Sequence, residues 1–241
     1  ARGGRRAEDV ILVAVTKNAS IEGHQIVLSS EIDYESAAKA SEKGEKAFVR
    51  ATRHVVRNMT DSHRKMLEIQ CLYGRQGLGV VESISSATVT ITKATWAPGI
   101  WAGWNGAKVQ FAESDLSAFR ASTPSDNYVT VSSVDMKNRT ITLNEAPTST
   151  AAGDIIFFYE GLVPGGTPTY REPVGIVPAL DTAGTVWSID NSTYSLWKSP
   201  EIDVGGDILT FDAVQEAAAR IAENGGIGGR IRLYVSNLTF V

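Results

Sequence analysis

A chain of 241 residues that is 43% hydrophobic can bury a sizeable core in one large domain or two smaller ones, which excludes a disordered protein. Its net charge of -4 argues against general binding to nucleic acid or membrane surfaces and leaves only local basic patches for such contacts. With Cys71 as its one cysteine, it has no intrachain disulfide, cysteine-based zinc site or Cys-x-x-Cys redox pair.

Residues Val10 to Ile32 read as an arm or hairpin, in which ILVAVTK and HQIVLSSEI are extended and Asn18, Ala19, Ser20 and Gly23 supply the turn. No apolar run reaches the roughly 18 residues of a membrane span, so no membrane partner is expected. From Tyr34 to about Tyr73 there is no proline and one glycine, Gly44, which marks a kink or the helix's true start. Asp33 and Ser36 are the candidate N-caps. A helix over 34–74 would be roughly 60 Å long, more than a domain of this size needs for its own core.

Along that helix Phe48, Ala51, Val55, Met59, Met66 and Ile69 recur at steps near 3.6 and predict a core-facing stripe, flanked by Val49, Val56 and Leu67. Lys46, Arg50, Arg53, Arg57 and Arg64 share a different line. The row Arg50, Arg53, Arg57 and Arg64 reads as a solvated face partly paired with acidic residues, or as a face toward packaged nucleic acid or the acidic loops of a neighbour. Cys71 reads as buried filler near the helix end.

After Gly74 the pattern becomes β. Alternating Thr, Ser and Val predict strands at 80–84, 87–93, 128–135, 139–143 and 154–159, with a hairpin around Lys137-Asn138. These strands predict a small barrel or sandwich inserted after the helix. VPGGTPTYREPVGIVP, at 163–178, is loop or linker chemistry. Beyond it lie TVWSIDNSTYSLWKS, a helix from about Phe211 to Asn224 with Gly225-Gly226 as its cap, and a buried strand at IRLYV, 231–235.

Catalytic chemistry finds little footing. His24, His54 and His63 sit in no Ser, Cys or metal-ligand motif, and His54 and His63 are too far apart on one helix to share an ion. GRQGLG (74–79) and GGIGG (225–229) lack the Lys-Ser/Thr of a phosphate loop and read as caps and connections. Trp96, Trp101 and Trp104 in TWAPGIWAGWNGA read as core or subunit-contact aromatics, with a sugar-stacking platform as the competing reading. The expectation is a protein that is not an enzyme and has no cofactor and no metal.

In this order of features the chain resembles a major capsid protein of a tailed bacteriophage with the Hong Kong 97 fold. The resemblance rests on the arm at 9–32, the helix with AFVRATRHVVRNMTDSHRKMLEIQCLYG (47–74), GLGVV, the β module opening near TWAPGIWAGWNGAKV, and GTVWSIDNSTYSLWKS (184–199). It implies an α+β fold with an N-terminal arm or extended loop at 1–33 and a long spine helix at 34–74. Residues 75–165 would be peripheral strands with the inserted β module, 166–205 a linker and return to the peripheral domain, and 206–241 the start of an axial α/β domain. It also implies a structural virion protein, assembled in the host cytoplasm into an icosahedral shell around double-stranded DNA. Its partners would be copies of itself in hexamers and pentamers, scaffold, portal and decoration proteins, and packaged DNA held without base specificity. The start without methionine and the stop on LYVSNLTFV are the pattern of cut ends, so the axial domain is expected to be truncated. The alternative from a different class is a phage or bacterial surface protein whose β module binds carbohydrate.

Overall fold

The alternation of Thr, Ser and Val after Gly74 closes into a barrel. Six strands build it: β1 (Gly79–Ser85), β2 (Thr88–Ile91), β3 (Lys108–Ala112), β4 (Val129–Asp135), β5 (Thr140–Leu143) and β6 (Ile155–Phe158). Their order is β1-β2-β5-β4-β3-β6, every pairing is antiparallel, and β6 closes back on β1. This computed structural model describes residues 16–27, 38, 45–120, 128–165, 167–180, 184–194, 197–204, 209–223 and 232–233.

Two hairpins of the same build form one wall. β1–β2 and β4–β5 share one pattern of burial along both strands, and each carries a register shift at the same place, between Val81 and Ser83 and between Val131 and Ser133. Such bulges bend and coil a strand, which lets so small a sheet close on itself. β2 and β5 meet in the middle, with Val89 opposite Ile141 in the core and threonine pairs Thr88–Thr142 and Thr90–Thr140 on the other face. The β4–β5 turn is set by Asp135, whose Oδ1 accepts the amides of Lys137 at 2.9 Å and Asn138 at 3.2 Å.

The sequence pattern misses β3. Its residues Val109, Gln110, Phe111 and Ala112 are all buried, so the strand has no polar face and its alternation vanishes. Gln110 is accommodated because its Oε1 accepts the Glu160 amide at 2.9 Å.

Helix α1 (Glu45–Tyr73) has 29 residues, or about 44 Å of length. The part of the expected helix before Glu45 lies, apart from residue 38, outside the described residues. The C-terminal half of α1 docks on the barrel through Met66, Ile69 and Tyr73, which join Leu78, Val81, Ile91, Phe111 and Ile156 in one core. Each such side chain contributes on the order of 1.5–3 kcal/mol on full burial. Cys71 is exposed, against the expectation of a buried filler. At about 100° per residue it lies across the helix from Met66, Ile69 and Tyr73, close to the line of the arginines.

The chain divides into two compact units, Glu22–Leu180 and a second formed by Ala1–Ile21 with Asp181–Val241. The first also contains the one-turn helix α2 (Pro98–Trp101), the short pair β7 (Leu162–Val163) and β8 (Thr169–Tyr170), and α3 (Ile176–Ala179). In the second, β9 (Thr185–Val186) and β10 (Ile189–Asp190) form a hairpin whose turn residues Trp187 and Ser188 have φ of 49° and 69°, as a two-residue loop of the twisted kind requires. Trp187 packs edge-on against Trp197 at 5.9 Å, and Ser20 donates its amide to the Trp187 carbonyl at 2.9 Å. α4 (Phe211–Glu223) matches the expected helix, whereas its expected glycine cap lies outside the described residues. Leu233 is 61% exposed and in no strand, so the expected buried strand at IRLYV is not met there; its other residues, apart from Arg232, lie outside the described residues.

Candidate functional site

Helix α1 meets the barrel core through Met66, Ile69 and Tyr73, and beside that contact a second apolar line stays open along both of its halves, with Val49 44%, Val56 55% and Leu67 40% exposed. Val49, Val56 and Leu67 follow one line along the helix, and a shallow hollow of about 330 Å³ is lined by Val49, Thr52, Arg53 and Val56. All of its lining residues come from one helix.

Beside that apolar line runs the basic row. Arg53, Arg57 and Arg64 are all exposed, whereas the side chain of Arg50 lies outside the described residues. Arg64 reaches Asp61 at 3.7 Å with both side chains more than half exposed, a pair worth less than about 1 kcal/mol. The row is therefore a cationic surface with little internal compensation.

Where α1 meets the barrel, a cavity of about 570 Å³ lies between the helix and α2, lined by Asp61, Arg64, Lys65 and Glu68 with Ile69 and Ile100 among its apolar residues. The Lys65 ammonium sits 5.0 Å from the centre of the Trp104 ring. Burial lowers the Lys65 pKa and the neighbouring Glu68 carboxylate opposes the shift.

The three tryptophans occupy different depths. Trp101 is 1% exposed and lies parallel to Trp96 with ring centres 6.4 Å apart. Trp104 packs on Phe158 at 5.0 Å. The indole N–H groups of Trp101 and Trp104 are buried without a hydrogen-bond partner among the described residues. Trp101 has no face open to a sugar ring.

A polar cluster that the sequence did not advertise sits at the C-terminal end of α1. Gly74 ends the helix and Arg75 follows with φ of 72°, which turns its side chain back. Arg75 Nε donates to the Glu172 carbonyl oxygen at 3.0 Å, and its guanidinium lies 5.4 Å from the centre of the Tyr170 ring. Its terminal nitrogen reaches Glu22 Oε2 at 3.4 Å and His24 Nε2 at 3.2 Å. The Glu172 side chain is buried; desolvation pushes its carboxyl above the usual range, opposed by the Arg75 amide and Gln70. The signal for this cluster, a lone arginine after a glycine C-cap, has no periodicity and cannot name partners that lie 51 to 97 residues away.

Of the other histidines, His54 bonds Asn58 at 3.2 Å on the exposed helix face and His63 is half-buried. Among the described residues no group of three His, Cys, Asp or Glu side chains could hold a metal ion. Among the same residues no helix is long and apolar enough to cross a membrane. Comparison with protein-family models, curated proteins and solved structures finds no match.

Proposed function

We propose that this chain is a structural shell subunit, a major capsid protein of a tailed bacteriophage with the Hong Kong 97 fold, carrying an inserted six-stranded barrel. The observation that carries the reading is the mismatch between α1 and its own core. Among its described side chains, α1 joins the barrel core through Met66, Ile69 and Tyr73 and keeps Val49, Val56 and Leu67 open, which is the expected state of a strut whose remaining burial comes from neighbouring copies. Self-association in hexamers and pentamers would cover that stripe, and no catalytic step belongs to this role.

The exposed Arg53, Arg57 and Arg64, with Arg50, would lie toward the packaged DNA. Phosphate contacts require positive charge without base specificity, which is compatible with an overall charge of -4 concentrated elsewhere. Against the carbohydrate-binding reading, Trp101 is buried in the barrel core and offers no ring face, while Trp96 and Trp104 are half-buried. Negative-stain electron microscopy of the complete gene product that contains this chain tests the proposal: closed shells or capsomer-sized rings support it, and isolated monomers in the presence of the natural scaffold overturn it.

A further inference from the structure

The Arg75 cluster ties a stretch of extended chain to the helix–barrel junction. Residues 16–27 have no regular secondary structure, and at Glu22 and His24 the described polar contacts of this stretch run to one side chain, Arg75. An arginine can only donate, so the 3.2 Å contact requires His24 Nε2 to accept and the ring to be neutral with its proton on Nδ1. Protonation of His24 removes that lone pair and sets two cations against each other.

We propose that Arg75 and His24 form a proton-sensitive latch: neutral His24 pins the extended segment around Glu22–His24 to the junction, and protonated His24 releases it. Glu22, Tyr170 and Glu172 are the other titratable groups facing Arg75. Tyr170 stays neutral through the range of histidine titration. Burial raises Tyr170 further. Glu172 holds the guanidinium through its backbone carbonyl, which does not titrate, while its carboxyl, raised by burial, meets the Arg75 amide at 3.4 Å and Gln70. Arg171 pairs outward with Glu160 at 3.5 Å. Arg75 thus remains anchored while its hold on the segment varies. The latch stands on contacts within one unit, whether or not the chain assembles.

A nitroxide at Gln25→Cys, in a Cys71→Ser background, reads the segment directly. The expected result is an immobilised spectrum at pH 7.5 whose ratio of immobile to mobile signal falls about tenfold or more by pH 5.5, the effect of losing one hydrogen bond to a charged group. His24→Gln keeps an acceptor that does not titrate and should abolish the pH dependence. Glu172→Gln should leave the transition in place, and tryptophan fluorescence should show the barrel intact throughout. A spectrum unchanged between the two pH values, or a transition that persists in His24→Gln, overturns the latch.

Discussion

The amide of Gly175 donates to the carbonyl of Gly74 at 2.9 Å, joining the end of α1 to the segment that leads into α3. Neither glycine has room for a side chain. A Cβ on Gly74 would lie 2.3 Å from the Pro173 carbonyl oxygen, and one on Gly175 would lie 2.5 Å from the Gly74 nitrogen. Backbone atoms make both contacts, so no rotamer change relieves them. Gly74→Ala and Gly175→Ala should each destabilise the helix–barrel unit by about 2–3 kcal/mol in denaturant unfolding. Gly99→Ala, where nothing lies within 4 Å of the added carbon, should fall within about 0.5 kcal/mol of the parent.

Trp101→Ala should cost about 3–5 kcal/mol, because it empties the space of a side chain that is 1% exposed and stacked on Trp96. Trp96, half-buried, should cost less. A sugar platform would behave differently: glycan binding would be lost and unfolding left unchanged.

Glu172 supplies a pH dependence with a definite sign. Its folded-state pKa is raised above its unfolded value by burial, so its contribution is fully present below the ordinary glutamate range near pH 4.3 and is lost as pH rises through the folded value. Glu172→Gln should therefore flatten that part of the stability profile, and its gain over the parent should be larger at pH 7 than at pH 4. An equal difference at both pH values would show that the carboxylate pays no desolvation penalty.

Under the shell reading, Arg50, Arg53 and Arg57 changed together to Gln should leave assembly intact and lower DNA retention, with a weaker dependence on salt. Retention measured over a range of salt concentrations checks this, and retention equal to the parent at every concentration contradicts the DNA-facing row.

What the sequence revealed depended on whether a segment kept one wet and one dry face. β1, β2, β4 and β5 kept theirs, and the Lys137-Asn138 turn was legible from Asp135 onward. β3 lost its alternation to burial on both sides, and the closure of the sheet depends on the bulges at Val81–Ser83 and Val131–Ser133, which leave no compositional mark. Of the stripe read along α1, Met66 and Ile69 join the barrel core and Val55 and Met59 are half-buried outside it, whereas the side chains of Phe48 and Ala51 lie outside the described residues. The Arg75 cluster was hidden because Glu22, His24, Tyr170 and Glu172 are brought together only by the fold.

Under the shell reading, a neighbouring copy covers the apolar line of α1 that the barrel leaves open at Val49, Val56 and Leu67. Sedimentation velocity of the complete gene product against its Val56→Asp variant tests this most directly, because Val56 is 55% exposed and its replacement disturbs no described core contact. The account predicts large assemblies for the parent, capsomers or monomers for the variant, and the same thermal unfolding of the barrel in both. A variant that assembles as the parent does would contradict it.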